Sequence, residues 1–317
     1  MHIARSWAEP PQLAKRNLMI RLIITLLLTA AVLWSGGLRA QSELDTGAVR
    51  QAIEQADAAA WSPDSIYGAD FDDDAAIDSL LPVSVPFGEG EKLVYAVQYG
   101  IINAGEATLE IRNISMFDST PCYNIVSNAR TNDVFSVVFK VRDRFVSLMD
   151  TTELVSLRYE KHIREGKFKR DETVVFDQRA HRAVYKDREI PIAPRTQDVL
   201  TSMYYVRTLP LEPGQNVALA NHTDGKNYPL LIKVLRRERV TVDAGTFDCL
   251  VVEPFLRGPA IFQQKGRVTV WVTDDAYRIP VLVKSKVVIG AVSAVLTDYQ
   301  LADKHKHDEQ VQGRGSK

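Results

Sequence analysis

From Phe87 almost to its end this chain alternates. In Ala107-Thr-Leu-Glu-Ile-Arg112 the residues Ala107, Leu109 and Ile111 share one side, and Thr108, Glu110 and Arg112 share the other. That is the period of a strand with one buried and one wet face. The same rhythm runs through 139–145, 157–163 and 267–273. Turn-forming residues separate the runs: Asp150-Thr-Thr-Glu153, Arg164-Glu-Gly-Lys167, Asp224-Gly225, Asp243-Ala-Gly245 and Asp274-Asp-Ala-Tyr277. About fourteen strands at this cadence predict a mainly β fold: a large curved antiparallel sheet, a sandwich or a half-open barrel. One helix is expected within it, Thr196 to Arg207, bounded by Pro194 and Pro210. Its stripe is Val199, Leu200, Met203 and Val206, with Asp198 and Arg207 placed to suit the helix dipole. The helix divides the β region into two halves that look alike: Cys122 precedes a strand pair turning at Asp150, and Cys249 one turning at Asp274.

An export address precedes the β region. The run from Leu22 to Trp34 follows Lys15, Arg16 and Arg21 and is followed by Ser35-Gly-Gly-Leu-Arg-Ala40, the layout of a bacterial secretory signal. About thirteen residues make roughly 20 Å of helix, short of a hydrocarbon core of about 30 Å. Cleavage between Ala40 and Gln41 is expected, leaving no transmembrane span in the mature chain. Translation could equally begin at Met19, with Arg21 as the charged flank. The expected layout is a signal over 1–40, an acidic linker over 41–86, the β-rich domain over 87–301 and a disordered tail over 302–317. Within the linker, Thr46 to Ala60 has helical spacing, whereas Trp61 to Pro82 reads as disordered. Between Gln41 and Pro82 ten acidic residues face Arg50 alone. Asp70, Asp72 and Asp74 have every-second spacing like a calcium loop, but its central glycine and distant glutamate are missing, so no metal site is assigned.

The whole chain is near neutral, with 39 Lys and Arg against 40 Asp and Glu, which argues against nucleic acid as a partner. No Gly-x-Ser-x-Gly occurs, and none of His2, His162, His181, His222, His305 and His307 sits in a recognisable motif. No catalytic, cofactor-binding or metal residues are therefore assigned, and no enzyme activity or cofactor is expected. His162 and His181 fall among Lys161, Arg164, Lys167, Lys169, Arg170 and Arg182, a cluster that reads as a solvated strand face; its sharper alternative is a contact for anionic lipid or polysaccharide. Asp143 is the unusual residue, because alternation places it on the apolar side with Phe139, Val141 and Phe145. A buried carboxylate needs a partner, and a distant arginine, or a bulge that turns Asp143 outward, is expected. The oxidising compartment permits a disulfide between Cys122 and Cys249; two small buried thiols is the preferred reading.

Five stretches in order, Gly88-Glu-Gly-Glu-Lys-Leu-Val-Tyr95, Ala104-Gly-Glu-Ala107, Gln197-Asp-Val-Leu-Thr-Ser-Met-Tyr-Tyr-Val-Arg207, Ala244-Gly-Thr-Phe-Asp-Cys249 and Arg278-Ile-Pro-Val281, resemble the exported bacterial family called domain of unknown function 3108, over roughly Phe87 to Leu301. The resemblance implies a β-rich cell-envelope domain and supplies no activity. Apolar strand residues exceed what one helix can cover, so the expected function is a soluble periplasmic module that binds a lipid or other hydrophobic envelope ligand in the concavity of the sheet. The alternative is an envelope scaffold with a solid core, no ligand and a protein partner. N-terminal sequencing of the exported protein is expected to begin at Gln41; a product retaining Met19 would refute cleavage.

Overall fold

The computed structural model describes residues 85–256, 268–286 and 291–302. The expected signal with its Ala40–Gln41 cut, the acidic linker up to residue 84 and the tail from residue 303 lie outside the described residues. Fourteen strands form one antiparallel sheet. In chain order they are β1 (Lys92–Tyr99), β2 (Ile102–Phe117), β3 (Thr120–Thr131), β4 (Arg142–Asp150), β5 (Ser156–Glu165), β6 (Phe168–Asp177), β7 (Arg182–Val184), β8 (Glu189–Pro191), β9 (Asn216–Thr223), β10 (Lys226–Val242), β11 (Gly245–Leu256), β12 (Val268–Thr273), β13 (Pro280–Lys286) and β14 (Ala291–Gln300). Two meanders, β1 to β8 and β9 to β14, join where β1 pairs with β14, and β8 and β9 are the two edges. The sheet is not closed into a barrel, and the sandwich alternative falls because the described residues form no second sheet.

The meanders follow one plan. β1 to β5 begin at Lys92, Ile102, Thr120, Arg142 and Ser156, and β9 to β13 begin at Asn216, Lys226, Gly245, Val268 and Pro280, offsets of 124 to 126 residues. Both plans contain one very long strand with a register shift, between Ile111 and Ile114 in β2 and between Val234 and Arg236 in β10. Such irregularities bend a strand and sharpen its twist, which lets so wide a sheet curl. At Gly105 in β2 a side chain is excluded, since a Cβ would lie 2.1 Å from the Arg130 carbonyl oxygen of β3.

Curling makes the main core, and a smaller buried cluster of Cys249, Val251, Trp271, Val281 and Leu282 lies apart from it. Inward residues of β2 (Leu109, Ile111), β5 (Tyr159), β6 (Phe176) and β9 (Leu219) belong to a single buried cluster. The sheet edges meet through side chains rather than a ladder: the Tyr185 hydroxyl lies 2.7 Å from His222 Nε2, and Asn227 Nδ2 donates to the Pro191 carbonyl at 2.7 Å. The chain leaving β8 then makes one parallel bridge to β9, Gln197 with Asn221.

Among the described residues, two helices interrupt the strands. Helix α1 (Asp133–Val138) was not expected, because its β-branched residues give no helical stripe; the Asn132 side chain caps it by accepting from the Phe135 N–H. Helix α2 (Val199–Val206) is shorter than the expected span from Thr196. Asp198 is its N-cap in a reciprocal capping box with Thr201, and Gln197 ahead of it is extended against β9. Seven of its eight residues are buried, so α2 fills the inside of the curl rather than lying on it.

The C-terminal end of α2 is held by charge. Arg207 donates to both carboxylate oxygens of Glu91 at 2.7 and 2.8 Å, and to the Tyr277 carbonyl, with both ionic side chains out of contact with water. Removing one partner of a buried pair strands the other charge and typically costs about 3 to 5 kcal/mol. Glu91→Gln is expected to destabilise the fold by roughly that amount in urea unfolding; a loss below about 1 kcal/mol would show that the pair does not hold the helix.

Candidate functional site: an apolar cavity against the central helix

Val199, Ser202, Met203 and Val206 occupy positions i, i+3, i+4 and i+7 of α2 and form one face of the helix. That face does not touch the sheet everywhere. Between it and β10 (Leu230, Ile232), β11 (Val252) and β12 (Val268, Val270, Val272) lies a cavity of about 120 Å³. The β12 residues line it because alternate residues of a strand share a side; Trp271 between them points to the opposite face of the sheet and packs with Val251 and Val281. The stripe expected from sequence included Leu200 where the cavity face has Ser202. Leu200 instead borders a second void of about 20 Å³, and Met203 borders both.

Few polar groups reach the cavity. Asn221 uses its Nδ2 to donate to Ser202 Oγ at 2.9 Å, and its buried Oδ1 has no partner among the described residues. Arg278, half-buried in the turn between β12 and β13, donates from Nη1 to the Leu209 carbonyl. Its buried Nε has no partner, and it makes no salt bridge among the described residues. Arg207 also borders the cavity, but Glu91 already engages it. Sequence reasoning did not single out Arg278, although it opens one of the stretches that carry the family resemblance.

Other buried polar groups serve the architecture. Asp198 accepts from the Leu200 and Thr201 amides and from the Ser147 and Ser156 hydroxyls. Burial raises its pKa while these hydrogen bonds oppose the rise. His222 sits between Tyr185 and Asn227, and desolvation lowers its pKa. Lys161 departs from the solvated face read from sequence: alternation with Tyr159 and Ile163 points it inward, where it is 1% exposed and its Nζ meets Asp224 at 2.5 Å. Cys122 on β3 and Cys249 on β11 are free, buried thiols, with five strands of the sheet between them. Burial pushes them up to about 11 and about 12.

Asp143 is buried on the inner face of β4 beside Phe145. Neither an arginine partner nor an outward bulge resolves it. Its Oδ1 accepts from the Arg164 backbone N–H at 2.7 Å, and its side chain meets the buried Glu165 carboxyl. A backbone amide and a neighbouring carboxyl stand where a guanidinium was expected. The pair stands apart from the cavity lining.

The molecule is thus an open, single-sheet β protein curled around a buried helix, with an apolar cavity on one face of that helix. It belongs to a family of proteins of unknown function (DUF3108), whose model matches residues 94–297. No curated protein matches the chain. Among solved structures it is similar to a β-barrel-like protein of domain of unknown function DUF1849 from Brucella abortus, at 10% identity over 67% of this chain and 98% of that one, with a TM-score of 0.47. It is also similar to a DUF1089 family protein from Pseudomonas aeruginosa, at 10% identity over 57% of this chain and 89% of that one, TM-score 0.35. At these scores the architecture rests on the sheet described above.

Burial, followed by the charge of Glu165, lifts the Asp143 carboxyl to about 7, against about 3.9 in an unfolded chain. Between those values the folded protein keeps a proton that the unfolded chain has released, so this site's stabilising contribution is complete below about pH 4 and is lost as pH rises through about 7. Urea midpoints across pH 5 to 8 are expected to fall with pH in the wild type and to fall less in Asp143→Asn. Parallel slopes would refute the raised Asp143 pKa.

Proposed function

We propose that this chain is a non-catalytic cell-envelope module that binds a hydrophobic ligand, a lipid chain or a molecule of similar apolarity, in the cavity against α2. The cavity carries the reading. Its walls are almost entirely aliphatic side chains, and an apolar guest that covers them removes that surface from water. Voids near 150 Å³ take up benzene-sized guests, so a ring or a short stretch of one acyl chain fits here. An envelope address is supported by the leader layout from Lys15 to Ala40. No helix among the described residues is long and apolar enough to cross a membrane.

A second reading, an interaction module, is favoured by one observation. Ile101 is 97% and Val137 is 88% exposed, and Asn132 ties α1 to the start of β2 by hydrogen bonds to Ala104 and Asn103. These apolar residues therefore form one exposed tip, of the kind found at protein contacts.

Native mass spectrometry of protein purified from its host is expected to show a bound lipid-like adduct. Val270→Phe, which fills the cavity at a cost of about 1 to 3 kcal/mol of overpacking, is expected to lose it while remaining folded. A wild-type protein that is consistently empty and takes up no added alkanol, together with crosslinks from the exposed tip to another envelope protein, would favour the second reading instead.

A further inference from the structure

We propose that the cavity is specific for a single-chain amphiphile with an anionic head, seated with the head at Arg278 and the chain along Val272, Val270 and Val268. This rests on reading the cavity as a hydrophobic ligand site. The other guanidinium bordering the cavity, Arg207, is spoken for by Glu91. The Arg278 guanidinium has the Leu209 carbonyl and no carboxylate partner among the described residues, while the backbone N–H of Arg278 donates to Asp275 Oδ1 at 3.0 Å.

The Arg278 Nε is the stronger sign. Of the buried donors that have no acceptor among the described residues, it is the one that lines the cavity, and such a group calls for a partner from outside the chain, a water or a ligand. A carboxylate or phosphate approaching the fork side-on satisfies Nε together with a terminal nitrogen, the two-point geometry that guanidinium favours. The apolar walls lower the local dielectric and strengthen that pairing. The other unpartnered atom among the residues lining the cavity, Asn221 Oδ1, is an acceptor and repels an anion, so the head group has one station.

The strand register sets the direction of the chain. Arg278 lies two residues before Pro280, and Pro280 pairs with Val272. From there Val270 and Val268 line the cavity on the same side of β12. At about 3.3 Å per residue they extend some 13 Å away from Arg278, a narrow apolar track suited to one acyl chain.

Decanoate and decanol share a chain and differ in the head, so the test compares them by isothermal titration on the full chain. Wild type is expected to bind decanoate at least about tenfold more tightly than decanol, a preference that shrinks as salt is raised. Arg278→Gln should erase the preference and leave decanol affinity within about twofold, whereas Arg278→Lys should keep part of it. Equal binding of the two by wild type, or equal weakening of both by Arg278→Gln in protein that melts like wild type, overturns the anionic head. If Arg278→Gln fails to fold, the salt dependence and the lysine variant still decide. Failure of wild type to bind either compound overturns the hydrophobic site itself, a result distinct from loss of head-group selectivity.

Discussion

A guanidinium and a carboxylate, both removed from water, hold the end of the central helix against the start of the first strand. Isolated in an apolar interior, either ion would be far too costly; together, with Arg207 forked onto both oxygens of Glu91 and onto the Tyr277 carbonyl, they are compensated. The Phe87 and Tyr204 rings lie 5.4 and 5.1 Å from the guanidinium carbon and add their faces to its surroundings. The contact joins three distant parts of the chain: the entry to β1, the exit of α2 and the turn before β13. It sets where the helix stops and therefore which of its faces meets β10 to β12.

The other end of α2 is fixed by the opposite sign. Asp198 collects two amides and two hydroxyls from α2, β4 and β5, so the capping carboxylate is also a tie between helix and sheet. Between these two anchors the helix has no freedom to sink further toward β12. A short rigid rod inside a curved wall leaves space where their shapes disagree, and the cavity lies there. Its apolar lining follows from the strands that supply it, since Val268, Val270 and Val272 face inward by the same alternation that fills the rest of the core with Leu109, Phe145 and Tyr159.

The open edges of the sheet pose a different physical problem. Unpaired strand edges invite association, and here β8 is three residues long. The segment after it crosses to β9, while Tyr185, His222, Asn227 and the Lys161–Asp224 pair bind the margins together. The seam is made of polar side chains where a barrel would have ladder hydrogen bonds. Buried donors and acceptors at the seam are directional, so they specify one way of curling where hydrophobic burial alone would accept several.

Local periodicity carried most of the fold. The inward set of β2, the turns at Asp150, Asp224 and Asp243 and the strand number were legible because a strand's two faces and a turn's dihedral demands are written in neighbouring residues. Helix α1 was not, since β-branched residues gave no helical stripe and only the Asn132 cap marks it. The inward position of Asp143 was legible for the same reason as Leu109, but its partner was not: the Arg164 amide and Glu165 come from β5, and register between strands is a long-range property. Lys161 was misread for a related reason, because a charge within a basic run looks solvated until Asp224, sixty-three residues away, is brought to it. The cavity and the unpaired Arg278 belong wholly to tertiary structure. A sequence states which side of each element is apolar, whereas the gap left between a helix and a wall depends on how far apart their anchors hold them.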